Sequence, residues 1–302
     1  MPEGHVTHRM ARAYVEQFGG TLTRSSSPQG RFAESAALLD GRVLDGAESI
    51  GKHVFVTFGA DTVHIHLGMA GKSFVHHDAL VESVAEEFEV HREPAGRVRP
   101  VSGAVRWRLE NDRAWCDLVG PAACEILDEQ QVAAIAARLG PDPLRADADP
   151  SLAWGRVHRS ELPIAVLLMD QRIFAGVGNI FRAEVLYRAG MDPMLPGTAV
   201  KRREFDALWA DLVDLMTQAV EHGRIDTVCE QDSPEVMGRA PRVDRHGGEI
   251  YVYRRAEMPC YRCGTRVRTA MLAGRNLFWC PRCQPLSRRA AAVQARRAAR
   301  AR

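Results

Sequence analysis

Residues 260–284 read CYRCGTRVRTAMLAGRNLFWCPRCQ and carry the strongest local signal in a chain of 302 residues. The pairs Cys260-x-x-Cys263 and Cys280-x-x-Cys283 are separated by 16 residues, which is the spacing of a four-cysteine zinc site. Each pair predicts a knuckle that offers two thiolates, and two knuckles complete a tetrahedron around one structural Zn²⁺ ion. A pair of disulfides is the alternative. Disulfides are typical of secreted chains, and the charged first 17 residues lack the apolar core of a signal peptide.

The segment between the knuckles predicts a β-hairpin. Residues 266–269 and 277–279 form two short runs of strand-forming residues, and Gly274 lies between them. Glycine between two such runs is typical of a tight turn. The predicted finger therefore consists of two knuckles joined by one hairpin.

Basic residues are unevenly distributed along the chain. Residues 254–302 contain 13 arginines, no lysine and one acid, Glu257, whereas residues 1–253 contain 27 basic and 37 acidic residues. A basic end on an acidic body indicates a polyanionic partner. Residues 285–302 are rich in alanine and arginine and offer few apolar anchors, so they predict a disordered basic tail, with a short helix as the alternative.

The overall composition is that of a globular protein, since hydrophobic residues make up 46% and charged residues 26% of the chain. The length suggests about two domains. No stretch reaches the ~18 apolar residues that a membrane span needs. We therefore expect no membrane partner and a location in the cytoplasm.

Apolar periodicity predicts a β-rich first part and a helical second part. The residues Val6, Met10, Tyr14 and Phe18 recur at helical spacing before two glycines, which predicts a helix over 3–18. Further strands are predicted at 43–50, 53–58, 62–67, 72–75, 105–109 and 114–118, a loop at 86–102, helices at 130–138, 162–169, 179–188 and 201–221, and irregular structure at 224–253. Three prolines and three aspartates within 140–150 predict a linker there.

The first residues, Met1-Pro2-Glu3-Gly4, allow two interpretations. Proline and an acid suit the first turn of a helix for structural reasons, because the proline φ is preset and the acid favours the helix dipole. If Met1 is removed, Pro2 offers a secondary amine with a pKa near ~7.7–8.0, so a good fraction is neutral and nucleophilic at pH 7. Residue type alone favours the structural interpretation.

The segment Gly176-Val-Gly178-Asn179 precedes the predicted helix 179–188. Glycines let the backbone turn tightly and approach a ligand, and Asn179 is a candidate N-cap. The amide groups of a helix N-terminus can hold a phosphate. By itself, however, such a segment is more often only a turn.

Four separated motifs carry a family resemblance. They are MPEG at residues 1–4, Gly51-Lys52, LLMDQRIFAGVGNIFRAEVL at 167–186, and RNLFWCPRCQ at 275–284. Together they resemble the formamidopyrimidine-DNA glycosylase and endonuclease VIII family of DNA repair enzymes. The resemblance implies an α+β, multi-domain fold. It places a catalytic β-sandwich domain with an N-terminal helix first, then a helix–two-turn–helix domain that carries a four-cysteine zinc finger. Together with the linker and the basic tail predicted from composition, the expected bounds are 1–138 for the catalytic domain, 139–150 for the linker, 151–253 for the helix–two-turn–helix domain, 254–284 for the zinc finger and 285–302 for the tail, which extends beyond the family pattern.

The resemblance also implies site residues. Pro2, freed of Met1, would attack C1′ of a damaged nucleotide and form a Schiff base, and Glu3 would relay protons. Lys52 matches the family's strand lysine, which contacts phosphate and assists proton transfer; a surface charge is its structural alternative. The residues Asn179 and Arg275 match the phosphate-binding pair. The implied partner is damaged DNA, double-stranded and also single-stranded, bound by a monomer that is associated with the nucleoid in a bacterial-type cell.

The damaged nucleotide must leave the base stack, and a wedge side chain from the first domain would compensate for its loss. The residues Leu67 and Met69 lie where the family resemblance places one wedge loop, and core packing at a strand end is their alternative role.

The expected substrate follows from a motif of the formamidopyrimidine branch that this sequence does not clearly contain. That branch has an Arg-x-Phe pair in a second wedge strip, and the pair is not clear in DRAWCD at 112–117. The ending RNLFWCPRCQ and the segment VYRR at 252–255 look more like endonuclease VIII. We therefore expect excision of oxidised pyrimidines followed by β,δ-elimination, with formamidopyrimidine or 8-oxoguanine as the alternative substrate.

A non-catalytic zinc-finger protein that binds DNA or lesions is the alternative from another functional class. Binding alone requires none of Pro2, Glu3 and Lys52. These residues therefore favour the enzyme.

Overall fold

The computed structural model describes residues 2–77, 80–83, 90–92, 103–243, 248–288 and 290–292, and for residues 77, 80–83 and 90–92 it describes the backbone alone. The chain divides into two compact units, Met1–Arg138 and Leu139–Arg302. Within the described residues, no helix is both long enough and apolar enough to cross a membrane.

The first unit contains three helices and eleven strands within its described residues. In chain order they are α1 (Gly4–Phe18), β1 (Leu22–Ser26), α2 (Ala33–Leu39), β2 (Arg42–Val43), β3 (Gly46–Ile50), β4 (His53–Phe58), β5 (Asp61–His66), β6 (Lys72–His77), β7 (Leu80–Ser83), β8 (Val90–Arg92), β9 (Val105–Glu110), β10 (Ala114–Val119), β11 (Ala123–Leu127) and α3 (Glu129–Ala136).

The strands form two antiparallel sheets that enclose an apolar core, which confirms the predicted β-sandwich with an N-terminal helix. The strand order is β2-β1-β9-β10-β6-β7-β8 in the larger sheet and β11-β5-β4-β3 in the smaller one. Helix α1 packs along β3 and β4 and buries the side chains spaced four apart, Val6, Met10, Tyr14 and Phe18. The helix ends at Gly19, where a Cβ would lie 2.5 Å from the Val15 carbonyl oxygen.

The second unit is helical and carries one small hairpin. Its elements are α4 (Pro150–Val157), α5 (Ile164–Leu167), α6 (Asn179–Arg188), α7 (Arg202–His222), α8 (Pro234–Met237), β12 (Arg268–Leu272) and β13 (Arg275–Trp279), with 3₁₀ turns at Gly197–Ala199 and Glu230–Asp232. Helix α7 turns one apolar face toward the core, including Leu208, Leu212 and Leu215. Gly223 ends it in the left-handed conformation.

Some predicted elements differ from those observed. The helix predicted over 162–169 is the single turn α5, because Pro163 precedes it and the turn closes after Leu167. The structure also shows β1, α2, α4 and β11, which the sequence patterns do not predict. The predicted loop over 86–102 contains β8 at Val90–Arg92, and the rest of that loop lies outside the described residues.

The segment predicted as a linker is held by the second unit. The Gly140 amide donates to the Gln171 carbonyl (2.9 Å), and the Ala175 amide donates to the Pro141 carbonyl (3.2 Å). The Asp149 side chain then accepts from the Ser151 amide and caps α4. These bonds make the segment an ordered edge of the second unit.

The start of the predicted tail is ordered as well. The Ser287 amide donates to the Asp192 carboxylate (2.8 Å), the Ser287 hydroxyl accepts from the Ala290 amide (2.9 Å), and Ala290 is buried. This capped helical start differs from the disordered tail predicted from residue 285, because an N-cap and one buried alanine compensate for the lack of large apolar anchors. Residues 293–302 lie outside the described residues.

Candidate functional site

The N-terminal turn of α1 and the β3–β4 turn lie together in the first unit. The Thr7 hydroxyl donates to the Gly51 carbonyl at 2.7 Å, and Gly51 has the left-handed φ of +63° that this tight turn requires. Pro2 and Lys52 are half-buried, whereas Glu3 is fully buried. The bond thus brings the three predicted catalytic residues to one end of α1.

A cluster of histidines lies beside Lys52 on the smaller sheet. The residues His53 and His66 are direct cross-strand partners, with ring centroids 4.9 Å apart. His53 Nδ1 lies 2.8 Å from His64 Nε2, and His64 Nδ1 lies 3.0 Å from Glu125 Oε1. Burial, together with the nearby His66, His64 and Arg138, lowers the pKa of His53 to about 4. His53 is therefore uncharged at neutral pH.

The two predicted wedge residues in the turn after β5 differ in exposure. Leu67 is 2% exposed and packs in the core of the first unit, whereas Met69 is 68% exposed. A wedge side chain must leave the protein surface and enter the base stack. The burial of Leu67 therefore favours its alternative role in core packing over the wedge role. The wedge role of Met69 stays a prediction.

The four cysteines of the two knuckles converge, as their spacing predicts. Their sulfur atoms all lie within 4.8 Å of one another, and two of the separations are 3.8 Å (Cys260–Cys283) and 3.4 Å (Cys263–Cys280). A tetrahedral ion with Zn–S bonds of ~2.3 Å requires sulfur atoms about 3.8 Å apart. The donor set and its spacing therefore fit zinc.

The surroundings of Cys263 favour its thiolate, whereas burial raises the pKa of Cys280 and Cys283 when no ion is bound. Burial acts to raise the pKa of Cys263, but hydrogen bonds with Thr265 and with these two cysteines outweigh it and the pKa falls to about 6. The Tyr187 hydroxyl lies 3.0 Å from the Cys260 sulfur. A second shell of this kind orients metal ligands.

The start of α6 is bound to the hairpin of the zinc finger. Asn179 Nδ2 donates to the Asn276 carbonyl at 3.1 Å, and Asn276 follows the half-buried Arg275 directly. Arg182 is fully buried and donates both to the Asn179 side chain and to the Asn276 carbonyl (2.8 Å). The predicted phosphate-binding pair, Asn179 and Arg275, thus lies on two elements that hydrogen bonds hold together.

The predicted capping role of Asn179 is wrong. The N-cap of α6 is Gly178, which has no side chain, and Asn179 is the first helical residue. Its side chain is committed to the hairpin rather than to the backbone amides of its own helix. The preceding loop is ordered by Gln171, which accepts from the Gly176 amide (3.0 Å) and donates to the Val177 carbonyl (2.8 Å).

Glu184 organises the irregular segment that precedes the knuckles. One carboxylate oxygen accepts from the Val252 and Tyr253 amides, both at 2.8 Å. The other accepts from the Tyr251 amide and the Thr227 hydroxyl, both at 2.6 Å. Glu184 is fully buried. These three backbone amides, in a segment predicted to be irregular, have no acceptor from a helix or a sheet. The Glu184 carboxylate accepts their hydrogen bonds instead.

The first knuckle is held by stacked arginines. The guanidinium carbons of Arg239 and Arg255 lie 3.8 and 3.4 Å from the ring centroid of Tyr261. Arg262 pairs with Asp232 at 2.8 Å. These cation–π and ionic contacts fix the knuckle to the segment that Glu184 orders.

Comparison with known proteins agrees with this architecture. The sequence profile of the formamidopyrimidine-DNA glycosylase N-terminal domain matches residues 1–115, that of the formamidopyrimidine-DNA glycosylase H2TH domain matches 139–230, and that of a zinc finger found in FPG and IleRS matches 259–286. Endonuclease 8 1 of Mycobacterium tuberculosis (strain ATCC 25618 / H37Rv) is 46% identical over 288 residues, which cover 94% of this chain and 100% of that protein. The chain belongs to the formamidopyrimidine-DNA glycosylase and endonuclease VIII family. This membership confirms the resemblance predicted from the four motifs.

Other members of the family extend the comparison. DNA-(apurinic or apyrimidinic site) lyase Nei2 of Mycolicibacterium smegmatis (strain ATCC 700084 / mc(2)155) is 30% identical over 295 residues, covering 95% of this chain and 100% of that protein. Lactococcus lactis Fpg in complex with DNA containing an abasic site has a TM-score of 0.70 at 19% identity, covering 94% of this chain and 100% of that one, and this likeness concerns the fold. Members of this family are DNA glycosylases and AP lyases of base excision repair, and this is the enzyme class of the chain.

Three residues that the sequence analysis missed hold the elements of the second unit that carry Asn179 and Arg275. They are the buried Arg182 and Glu184 and the loop-ordering Gln171. A signal was present, because α6 buries residues 179–187 without interruption and two opposite charges inside such a helix must find partners. The sequence does not reveal the partners described above for these two charges, since all of them except Asn179 lie 43 to 94 residues away along the chain.

Proposed function

We propose that this chain excises oxidised pyrimidines from DNA and then cleaves the strand through a Schiff base on Pro2. The observation that carries the proposal is the hydrogen bond from Thr7 to Gly51, because it brings the helix start with Pro2 and Glu3 to the turn with Lys52. A secondary amine, a carboxyl group and a titratable amine are the groups that imine chemistry on a sugar requires.

The proposed reaction begins at the Pro2 nitrogen. The Pro2 nitrogen bonds to C1′, the bond from C1′ to the base breaks, and the base leaves with a proton. Glu3 relays protons to the sugar oxygen as the ring opens, which yields an iminium ion. Loss of the C2′ proton expels the 3′-phosphate, and a second elimination expels the 5′-phosphate. Lys52 contacts phosphate and assists the proton transfers.

The second unit supplies proposed phosphate contacts. Asn179 and Arg275 would bind the DNA backbone near the lesion, and one structural zinc ion on the four cysteines would hold the hairpin that carries Arg275. We propose that the protein acts as a monomer on double-stranded and also single-stranded DNA, in the cytoplasm at the nucleoid. Met69 is the proposed wedge.

Two observations favour oxidised pyrimidines over formamidopyrimidine or 8-oxoguanine. The chain is 46% identical to Endonuclease 8 1 over 94% of its length, against 34% over 50% for the formamidopyrimidine-DNA glycosylase of a Synechococcus strain (ATCC 27144 / PCC 6301 / SAUG 1402/1). In addition, residues 114–117 lie within β10, where Cys116 is buried and Asp117 pairs with Arg108 at 2.6 Å. That stretch offers no Arg-x-Phe wedge.

Borohydride trapping on a duplex with one abasic site tests the chemistry. The natural chain should form a covalent adduct, Pro2→Gly should lose most of it, and Lys52→Arg should slow it because guanidinium does not exchange protons. Lys201→Arg is the matched control, since Lys201 is exposed at the start of α7. Tight binding without any adduct would instead support the non-catalytic DNA-binding alternative. A panel of duplexes with oxidised pyrimidines, formamidopyrimidine and 8-oxoguanine tests the substrate class.

A further inference from the structure

The turn that follows β5 is closed by hydrogen bonds and displays one exposed apolar side chain. The Gly71 amide donates to the Leu67 carbonyl at 2.9 Å and closes the turn. Gly68 has a φ of +67°, and a Cβ there would lie 2.8 Å from the Ala122 Cβ. Leu67 is buried in the core, and the exposed Met69 lies two residues later in the same hydrogen-bonded turn.

His66 ties this turn to the sheet. Its carbonyl accepts from the Ala122 amide at 2.8 Å, and its Nδ1 atom accepts from the Gly68 amide at 3.2 Å. An imidazole nitrogen accepts a hydrogen bond only when it carries no proton. The observed geometry therefore requires neutral His66 with its proton on Nε2. A protonated ring would present an N–H group to the Gly68 N–H group.

The surroundings of His66 keep it neutral. Burial, and then the neighbouring His64 and Lys52, lower the pKa of His66 below its usual value. The charged and titratable groups that face His66, directly or through another histidine, are Lys52, His53, His64, Glu125 and Arg138. They come from the β3–β4 turn, from β4, β5 and β11, and from the residues after α3. Only Glu125 is acidic, and it is bonded to His64.

We propose that His66 is a positioning residue that holds the 67–71 turn through its unprotonated Nδ1 atom, so that Met69 is presented for insertion into DNA. The inference rests on the proposed role of Met69 as the wedge. Protonation of His66 at Nδ1 removes the acceptor of the Gly68 amide. It also adds a positive charge next to that of Lys52. Wedge insertion should therefore fail as the pH falls below the ordinary pKa of histidine, about 6.5.

The test uses a duplex with an uncleavable abasic-site analogue and 2-aminopurine beside the gap, whose fluorescence rises when a wedge unstacks it. Full-length, zinc-loaded protein is added at saturation, with binding followed by anisotropy from pH 7.5 to 4.5. The natural chain should lose the fluorescence rise as the pH falls. His66→Asn should keep it throughout, because the asparagine oxygen replaces Nδ1 and does not titrate. His66→Ala should insert about fivefold less well at every pH, the loss expected from one hydrogen bond.

Two further variants separate the possible failures. The exposed His222 at the end of α7 provides the control His222→Asn, which should behave as the natural chain. Met69→Ala should give no rise at any pH; a normal rise would show that Met69 is not the wedge, and would refute that part of the proposed function. Two outcomes would overturn the role of His66 once Met69→Ala has abolished the fluorescence rise. One is a fluorescence rise that His66→Asn still loses at low pH, and the other is a normal fluorescence rise with His66→Ala. Borohydride trapping of the same variants reports Pro2 chemistry independently of the wedge.

Discussion

Replacing Glu184 by glutamine should destabilise the second unit strongly. Each Glu184 oxygen accepts two hydrogen bonds, one pair from the Val252 and Tyr253 amides and the other from the Tyr251 amide and the Thr227 hydroxyl. A glutamine keeps one oxygen and turns an NH₂ group toward the other pair of donors. The Thr227 hydroxyl can rotate and accept, but a backbone amide cannot.

The magnitude follows from this count. One buried amide without an acceptor costs about 1–3 kcal/mol, and the two retained bonds each lose about 1 kcal/mol when their acceptor becomes neutral. The expected loss is therefore about 4 kcal/mol of the free energy of unfolding. For a unit of this size, each kcal/mol lowers Tm by about 2–4 °C, so the melting temperature should fall by about 8–16 °C.

Calorimetry and guanidinium unfolding of zinc-loaded protein measure this effect. Glu221→Gln is the control, because Glu221 is exposed on α7 and such a surface change stays within about 0.5 kcal/mol. If the Glu184→Gln protein unfolds within 1 kcal/mol of the natural chain, the reasoning from a buried carboxylate with four donors is refuted.

Three further changes have defined outcomes. Ala273 has a φ of +48° in the hairpin turn, so Ala273→Gly should stabilise the zinc finger by about 1 kcal/mol in chemical unfolding; no gain would contradict strain there. Burial lowers the pKa of His53 to about 4, below its value in the unfolded chain. Its contribution to the free energy of unfolding is therefore present above about pH 6.5 and is lost as the pH falls toward 4, by about 1–2 kcal/mol after solvent screening. His53→Asn should flatten this pH dependence of unfolding, and an unchanged pH dependence would contradict the role of His53. Chelation of zinc should weaken DNA binding at least tenfold in anisotropy titrations, because the hairpin with Arg275 loses its support; full affinity with zinc verified absent would exclude that role.

The sequence predicts the elements whose signals are local. Helix α1 shows four apolar residues at helical spacing and a Gly-Gly end, and the observed helix ends at Phe18 as predicted. Helix α6 matches its predicted bounds. The cysteine spacing predicts the converging thiols, because the geometry of the ion dictates the chain around it.

The remaining elements depend on contacts that are distant in the sequence. Strand β1 alternates between buried and exposed residues, but its buried side chains are Thr23 and Ser25, which no hydrophobic pattern marks. Ser25 is buried because it accepts from the Trp107 indole, 82 residues away. Asn179 resembles an N-cap by type and position, but its side chain donates to the hairpin carbonyl of Asn276, 97 residues later in the chain.

Tyr261 separates two positive charges, since the guanidinium groups of Arg239 and Arg255 lie on its ring. A smaller side chain at this position would let two cations approach across an empty gap in a partly dry environment. Exchange of the tyrosine alone would therefore add charge repulsion to the loss of packing, whereas exchange of an arginine together with the tyrosine would avoid that repulsion.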